Sequence, residues 1–231
     1  MFALKLKYSK KSWKSAEVNK ISTFNKIFII GLPRTGTTSV SAAMLDYGFK
    51  VAHTAYTKRA FELADVISDA PCFCDYKELD KLFPESKFVY LERSLDNWIP
   101  SIQMLIKKML VELEPRTGYL HPVLKRSFYK TFSLSLAGQL SEAHFAECYL
   151  NHQNEVQDYF ADRDSLLNIN VGEHGSFKKL LHFLNINVDL ADSFPHLNIG
   201  KQVDNWKQLK HPNKINSLAA GKEHRKFFDY P

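Results

Sequence analysis

Cysteine is scarce in this chain. Three are present, Cys72, Cys74 and Cys148, an odd and low number that argues against a disulfide framework and fits a reducing compartment. Cys72-Phe73-Cys74 is too short and too isolated for a zinc site. As alternate residues of a strand, the two cysteines would share one face and pack in a core. Long hydrophobic runs are also missing. No stretch of about 18 apolar residues is available to span a membrane, and the most apolar helical stretch, Trp98 to Leu113, contains Lys107 and Lys108. The first residues lack the apolar core and small-residue cleavage site of a secretory leader. A cytoplasmic protein is the expectation. There is no internal repeat and no low-complexity tract.

What is present can build a full core. Hydrophobic residues make up 45% of 231 residues and aromatics 13%, which suits one α/β domain with insertions. The net charge is +6 and the isoelectric point about 9.0, a balance that favours an anionic ligand. Much of the excess is local, in Lys5, Lys7, Lys10, Lys11, Lys14 and Lys20. Residues 1–25 therefore read as a basic, solvated arm and 26–231 as a single domain. No zinc-finger spacing or stacked-aromatic RNA motif accompanies the lysines, so nucleic acid is not the expected partner.

Strand-like and helix-like segments alternate. Ile27 to Ile30 reads as a buried strand, Thr38 to Tyr47 as a helix closed by Gly48, and Phe49 to His53 as a second strand. Thr57 to Ile67 reads as helix, Pro71 to Cys74 as a short third strand, and Tyr76 to Phe83 as a small helix. Lys87 to Glu92 is a strong strand, and Leu95 to Leu113 a long helix with Pro100 near its first turn. Helices over Val123 to Leu136 and Ser141 to Phe160, a strand over Ser165 to Val171 and a helix over Phe177 to Leu184 complete the pattern. Such alternation implies βαβ units, a parallel sheet and ligands at the carboxyl ends of its strands.

The first of those ends carries the clearest chemistry. Gly31-Leu-Pro-Arg-Thr-Gly36-Thr-Thr38 is nearly the phosphate-binding loop G-x-x-x-x-G-K-[ST], but Thr37 stands where the lysine belongs and the cation, Arg34, lies inside the loop. Glycines that permit close approach, N–H groups at a helix start, two threonine hydroxyls and a guanidinium all suit an anion.

Pro33-Arg-Thr-Gly-Thr-Thr38 resembles the P-[KR]-[ST]-G-[ST]-[ST] loop of sulfotransferases that use 3′-phosphoadenosine 5′-phosphosulfate (PAPS). A second motif agrees: the strand Phe88 to Glu92 runs into Arg93, and Ser101 follows eight residues on, like that family's 3′-phosphate site. A third, Lys201 with Trp206-Lys207, is similar to the lysine-bearing tail that closes over the donor. The stretch from Asp69 to Trp98 looks like a compact bacterial-type branch. The resemblance implies a three-layer, P-loop-type α/β fold with a central parallel sheet flanked by helices. It also implies PAPS as donor, 3′-phosphoadenosine 5′-phosphate as product, and no requirement for a metal. Pro33, Arg34, Thr35, Gly36, Thr37 and Thr38 would hold the 5′-phosphosulfate, and Arg93 and Ser101 the 3′-phosphate. Lys201 and Lys207 are candidates to cover it.

The proton acceptor is left between two residues. Asp69, in Asp-Ala-Pro before the arginine strand, is the first candidate and His53, at the end of the second strand, the other. Asp75 and His196 are more distant choices. Tyr56 and Lys58 follow the second strand and either can face the site. His174, His182 and Trp98 read as structural. The acceptor is open among small molecules, glycans and peptides, and no signature is readable between Leu105 and Arg163, where it would be recognised. The rivals are a small-molecule or nucleoside kinase, against which Thr37 counts, and an inactive nucleotide-binding relative.

Overall fold

The structure, a computed structural model, describes residues 25–134, 140–186, 194 and 205–220. Five parallel strands form one sheet in the order β2-β3-β1-β4-β5. They are β1 (Ile27–Ile29), β2 (Val51–Ala52), β3 (Val66–Ser68), β4 (Lys87–Glu92) and β5 (Leu166–Asn170). Between and after them lie α1 (Thr37–Asp46), α2 (Lys58–Leu63), α3 (Cys72–Leu82), α4 (Leu95–Leu113), α5 (Pro122–Phe132), α6 (Glu142–Tyr159), α7 (Ser176–Phe183) and the short α8 (Asn205–Gln208). The chain is thus α/β, with a parallel sheet between layers of helix.

Side-chain alternation along β1 explains the layers. Ile27 and Ile29 point to one face, where α1 and α7 supply Val40, Met44, Phe177 and Leu180. Phe28 and Ile30 point to the other, where α3 and α6 supply Tyr76, Leu79, Val156 and Phe160. Both faces are buried, as expected of a parallel sheet. A third cluster lies where α4, α5 and α6 meet, around Trp98, Ile102, Phe128 and Phe145.

Two segments differ from expectation. The helix expected over Thr57 to Ile67 ends at Leu63, and Val66–Ser68 is β3. Register pairing of Val66 and Ile67 with both β1 and β2 outweighs the helical pattern that precedes them. The strand expected over Pro71 to Cys74 is instead the start of α3. Cys72 and Cys74 are buried on that helix, so their shared strand face does not exist, although both are in the core. The remaining elements match to within a few residues at their ends. Residues 1–24 of the expected basic arm, 1–25, lie outside the described residues.

The carboxyl-terminal stretch completes the sheet edge. Lys214 bridges Val51 in parallel, Val51 donates its N–H to Asn213 and accepts from Ile215, and Thr57 Oγ1 donates to the Ala219 carbonyl at 2.6 Å.

Candidate functional site

Four strands deliver their carboxyl ends to one cavity of about 230 Å³. From β1 come Pro33, Arg34, Gly36, Thr37 and Thr38, from β2 His53, from β3 Asp69 and from β4 Arg93. This is the crevice in which open α/β sheets bind ligands.

The loop after β1 is held from three directions. At Gly31 a Cβ would stand 2.5 Å from Leu91 Cβ, so only glycine lets the chain pass β4 this closely. The Leu32 carbonyl accepts from both Thr35 Oγ1 (2.7 Å) and Thr35 N (3.3 Å). The hydroxyl of Thr35 is therefore spent bracing the loop rather than facing the cavity. The Pro33 carbonyl accepts from Trp98 Nε1 at 2.9 Å, and the Arg34 carbonyl from Arg93 Nη1 at 2.7 Å. With its carbonyls committed, the loop turns sharply at Arg34 (φ 74°) and Gly36 (φ 111°), and α1 starts at Thr37 with no side chain capping it. The first-turn N–H groups of a helix have no intrahelical acceptor, and the helix dipole makes that end attractive to an anion.

Two cations share this end of the sheet. Arg34 Nε donates to Ser101 Oγ at 2.8 Å, which with the Arg93 contact joins three of the residues expected at the donor site, Arg34, Arg93 and Ser101, into one network. Burial lowers the affinity of Arg34 for its proton, and the neighbouring Arg93 lowers it further; burial does the same to Arg93. Two partly desolvated guanidiniums side by side favour an anionic occupant. Arg93 is itself steadied by Tyr149, whose hydroxyl accepts from the Arg93 N–H at 2.9 Å.

His53 and Asp69 face each other across the cavity floor. Asp69 has a positive φ of 58°, which aspartate tolerates, and its Oδ1 accepts from Ala70 N at 2.8 Å. Burial pushes its carboxyl up from the ordinary range, and His53, the Ala70 N–H, Thr37 and Arg34 pull the other way without cancelling the shift. His53 Nε2 lies 3.7 Å from Asp69 Oδ2 and 3.2 Å from Thr38 Oγ1. Its Nδ1 lies 2.8 Å from Ser68 Oγ. The Ser68 hydroxyl also lies 3.1 Å from the His53 carbonyl and 2.7 Å from Ser41 Oγ, which is itself 3.3 Å from His53 Nδ1. Nδ1 thus sits among hydroxyls, and Nε2 is the ring nitrogen turned toward Asp69 and Thr38.

Several expected residues stand elsewhere. Asp75 is no base. Its carboxylate is 1% exposed, held bidentately by Arg126 (2.9 and 2.6 Å) and by Lys130 (3.2 Å), and although burial raises its pKa, those cations bring it below the ordinary value. Lys58 is exposed and pairs with Glu62 at 3.9 Å, whereas Tyr56 lines the cavity. Lys207 is exposed on α8 and is not among the lining residues. Lys201 and His196 lie outside the described residues. Trp98 is fully buried, as expected, but it also pins the loop. Sequence reasoning missed Tyr149 and the cavity wall of Leu105, Met109, Leu124 and Phe128. It also missed that the Trp206 ring packs on His53, centroids 5.1 Å apart.

Among curated proteins, none matches the chain. A protein-family model described as "Sulfotransferase domain" matches residues 54–203. That range is well over half of the chain and includes Asp69, Arg93 and Ser101, while the loop and His53 precede it. The chain belongs to the sulfotransferase domain family.

Proposed function

We propose that this protein moves a sulfuryl group from PAPS to a hydroxyl or amine of an acceptor. The observation that carries the proposal is the Arg93–Arg34–Ser101 network at the uncapped start of α1, within a chain of this family. In this reading the N–H groups of Gly36, Thr37 and Thr38, with the Thr37 and Thr38 hydroxyls and Arg34, hold the phosphosulfate. Pro33 and Thr35 shape the loop from within. Arg93 and Ser101 take the 3′-phosphate, and Lys201 and Lys207 are assigned to its outer side. The working unit is the single domain 26–231, in the cytoplasm, where the three free thiols suit a reducing environment.

The step is an in-line displacement at sulfur. The acceptor oxygen or nitrogen forms a bond to sulfur as the bond from sulfur to the bridging oxygen breaks. The electron pair leaves with 3′-phosphoadenosine 5′-phosphate, whose growing charge Arg34 stabilises. The acceptor proton goes to His53 Nε2, the ring nitrogen turned toward Asp69, while the Ser68 and Ser41 hydroxyls hold Nδ1. Asp69, at 3.7 Å, steadies the imidazolium that forms. This ordering puts His53 before Asp69 and gives the carboxylate an electrostatic part. A positioned base of this kind contributes ~10²–10⁴-fold.

The test is thermal unfolding with 3′-phosphoadenosine 5′-phosphate in the absence of magnesium, with ATP and magnesium in parallel. At about 100 times its dissociation constant the bisphosphate should stabilise the fold by ~2.7 kcal/mol, and the Arg93→Ala variant should lose that gain. A response to ATP and magnesium alone would overturn the reading in favour of a kinase.

A further inference from the structure

The cavity has two unlike sides. Its charged residues, Arg34, Asp69 and Arg93, and its imidazole all come from strand ends. The opposite wall is apolar. Leu105 and Met109 stand four residues apart on α4, and Leu124 and Phe128 four apart on α5, so each pair lies on one helix face. One flank is closed by Tyr56, whose ring stacks on His121 with centroids 4.3 Å apart and planes 7° from parallel. Burial pushes the Tyr56 phenol up to about 12, so it is neutral across the physiological range.

Resting on the sulfotransferase reading, we infer that the acceptor is a small uncharged phenol or alcohol with an apolar body. Its reactive hydroxyl lies toward His53 and its body against Leu105, Met109, Leu124 and Phe128. A sugar ring would press several hydroxyls on that wall with no partner, at a cost on the order of tenfold to a hundredfold in affinity for each. A charged peptide side chain would lose more.

Calorimetric titration with 2-naphthol and with N-acetylglucosamine, with and without saturating 3′-phosphoadenosine 5′-phosphate, tests this. 2-Naphthol should bind and N-acetylglucosamine should not. Met109 and Leu124 are half-buried, so Met109→Gln with Leu124→Gln should weaken naphthol binding at least tenfold. The stabilisation by the bisphosphate should be unchanged, and Leu124→Met should bind naphthol normally. Naphthol affinity indifferent to the double substitution, or tighter binding of the sugar, overturns the inference. Naphthol binding that obeys the substitutions while the bisphosphate fails to stabilise supports the apolar site and overturns the donor assignment instead.

Discussion

Asp69 sits under opposing demands. Burial holds its carboxyl above the ordinary range, so the folded protein keeps this proton to a higher pH than the unfolded chain does. Stability therefore falls as pH rises from the ordinary carboxylate value, ~3.9, through the raised one. Asp69→Asn should match the wild type in urea unfolding at acid pH and exceed it at neutral pH, while turnover drops. Equal stability at both pH values would remove the argument. Asp75 behaves in the opposite sense. Its carboxyl is lowered by Arg126 and Lys130 against the pull of burial, so its contribution is full above the ordinary carboxylate pKa and is lost as acid takes pH through the lowered one. Arg126→Ala leaves Asp75 buried with Lys130 and the Cys74 thiol as partners. It should cost about 3 kcal/mol in urea unfolding at neutral pH, near the lower end for stranding a buried charge, and the difference should shrink in acid.

Among the elements, α1 and α6 set the site. Gly36 opens α1 at φ 111°, and a Cβ there would stand 2.9 Å from Val171 Cγ2. Gly36→Ala should cost ~1–2 kcal/mol from the backbone alone, and it should abolish stabilisation by the bisphosphate in a thermal shift because α1 must move. Helix α6 presents Tyr149 to the Arg93 N–H. Tyr149→Phe should cost about 1 kcal/mol of stability and weaken bisphosphate binding several-fold while leaving naphthol binding in place, measured by calorimetry. The same elements explain what the sequence could reveal. β1 and β4 are continuous apolar runs because both faces are buried, and the loop and Arg93 follow them at fixed spacing, so strand ends and donor candidates were legible. β3 was not, since Val66 and Ile67 continue a helical pattern and only their neighbours β1 and β2 decide their state. Pro71 marked a boundary correctly but not which element began there. Tyr149 bears no spacing relation to Arg93, and Leu105, Met109, Leu124 and Phe128 carry the same i, i+4 signal as any core-facing helix.

At the scale of the whole molecule, residues 205–219 join the edge of the sheet to the site. They pair with β2 through Asn213 and Ile215 and lay Trp206 on His53. Ending the chain at Asp204 should lower stability by at least ~2 kcal/mol, the burial of one or two large side chains. It should also raise light scattering on concentration, because β2 then presents an open edge. An unchanged urea midpoint with no added scattering would mean that the stretch is only a passenger. The pairing of Val51 with Lys214 also has a consequence in time. A ribosome releases the first of these residues long before the second, and at roughly 5–20 residues per second the interval is on the order of ten to thirty seconds. Throughout it, nascent β2 lacks the partner that residues 213–215 supply, so the chain is exposed to wrong pairing until those residues emerge.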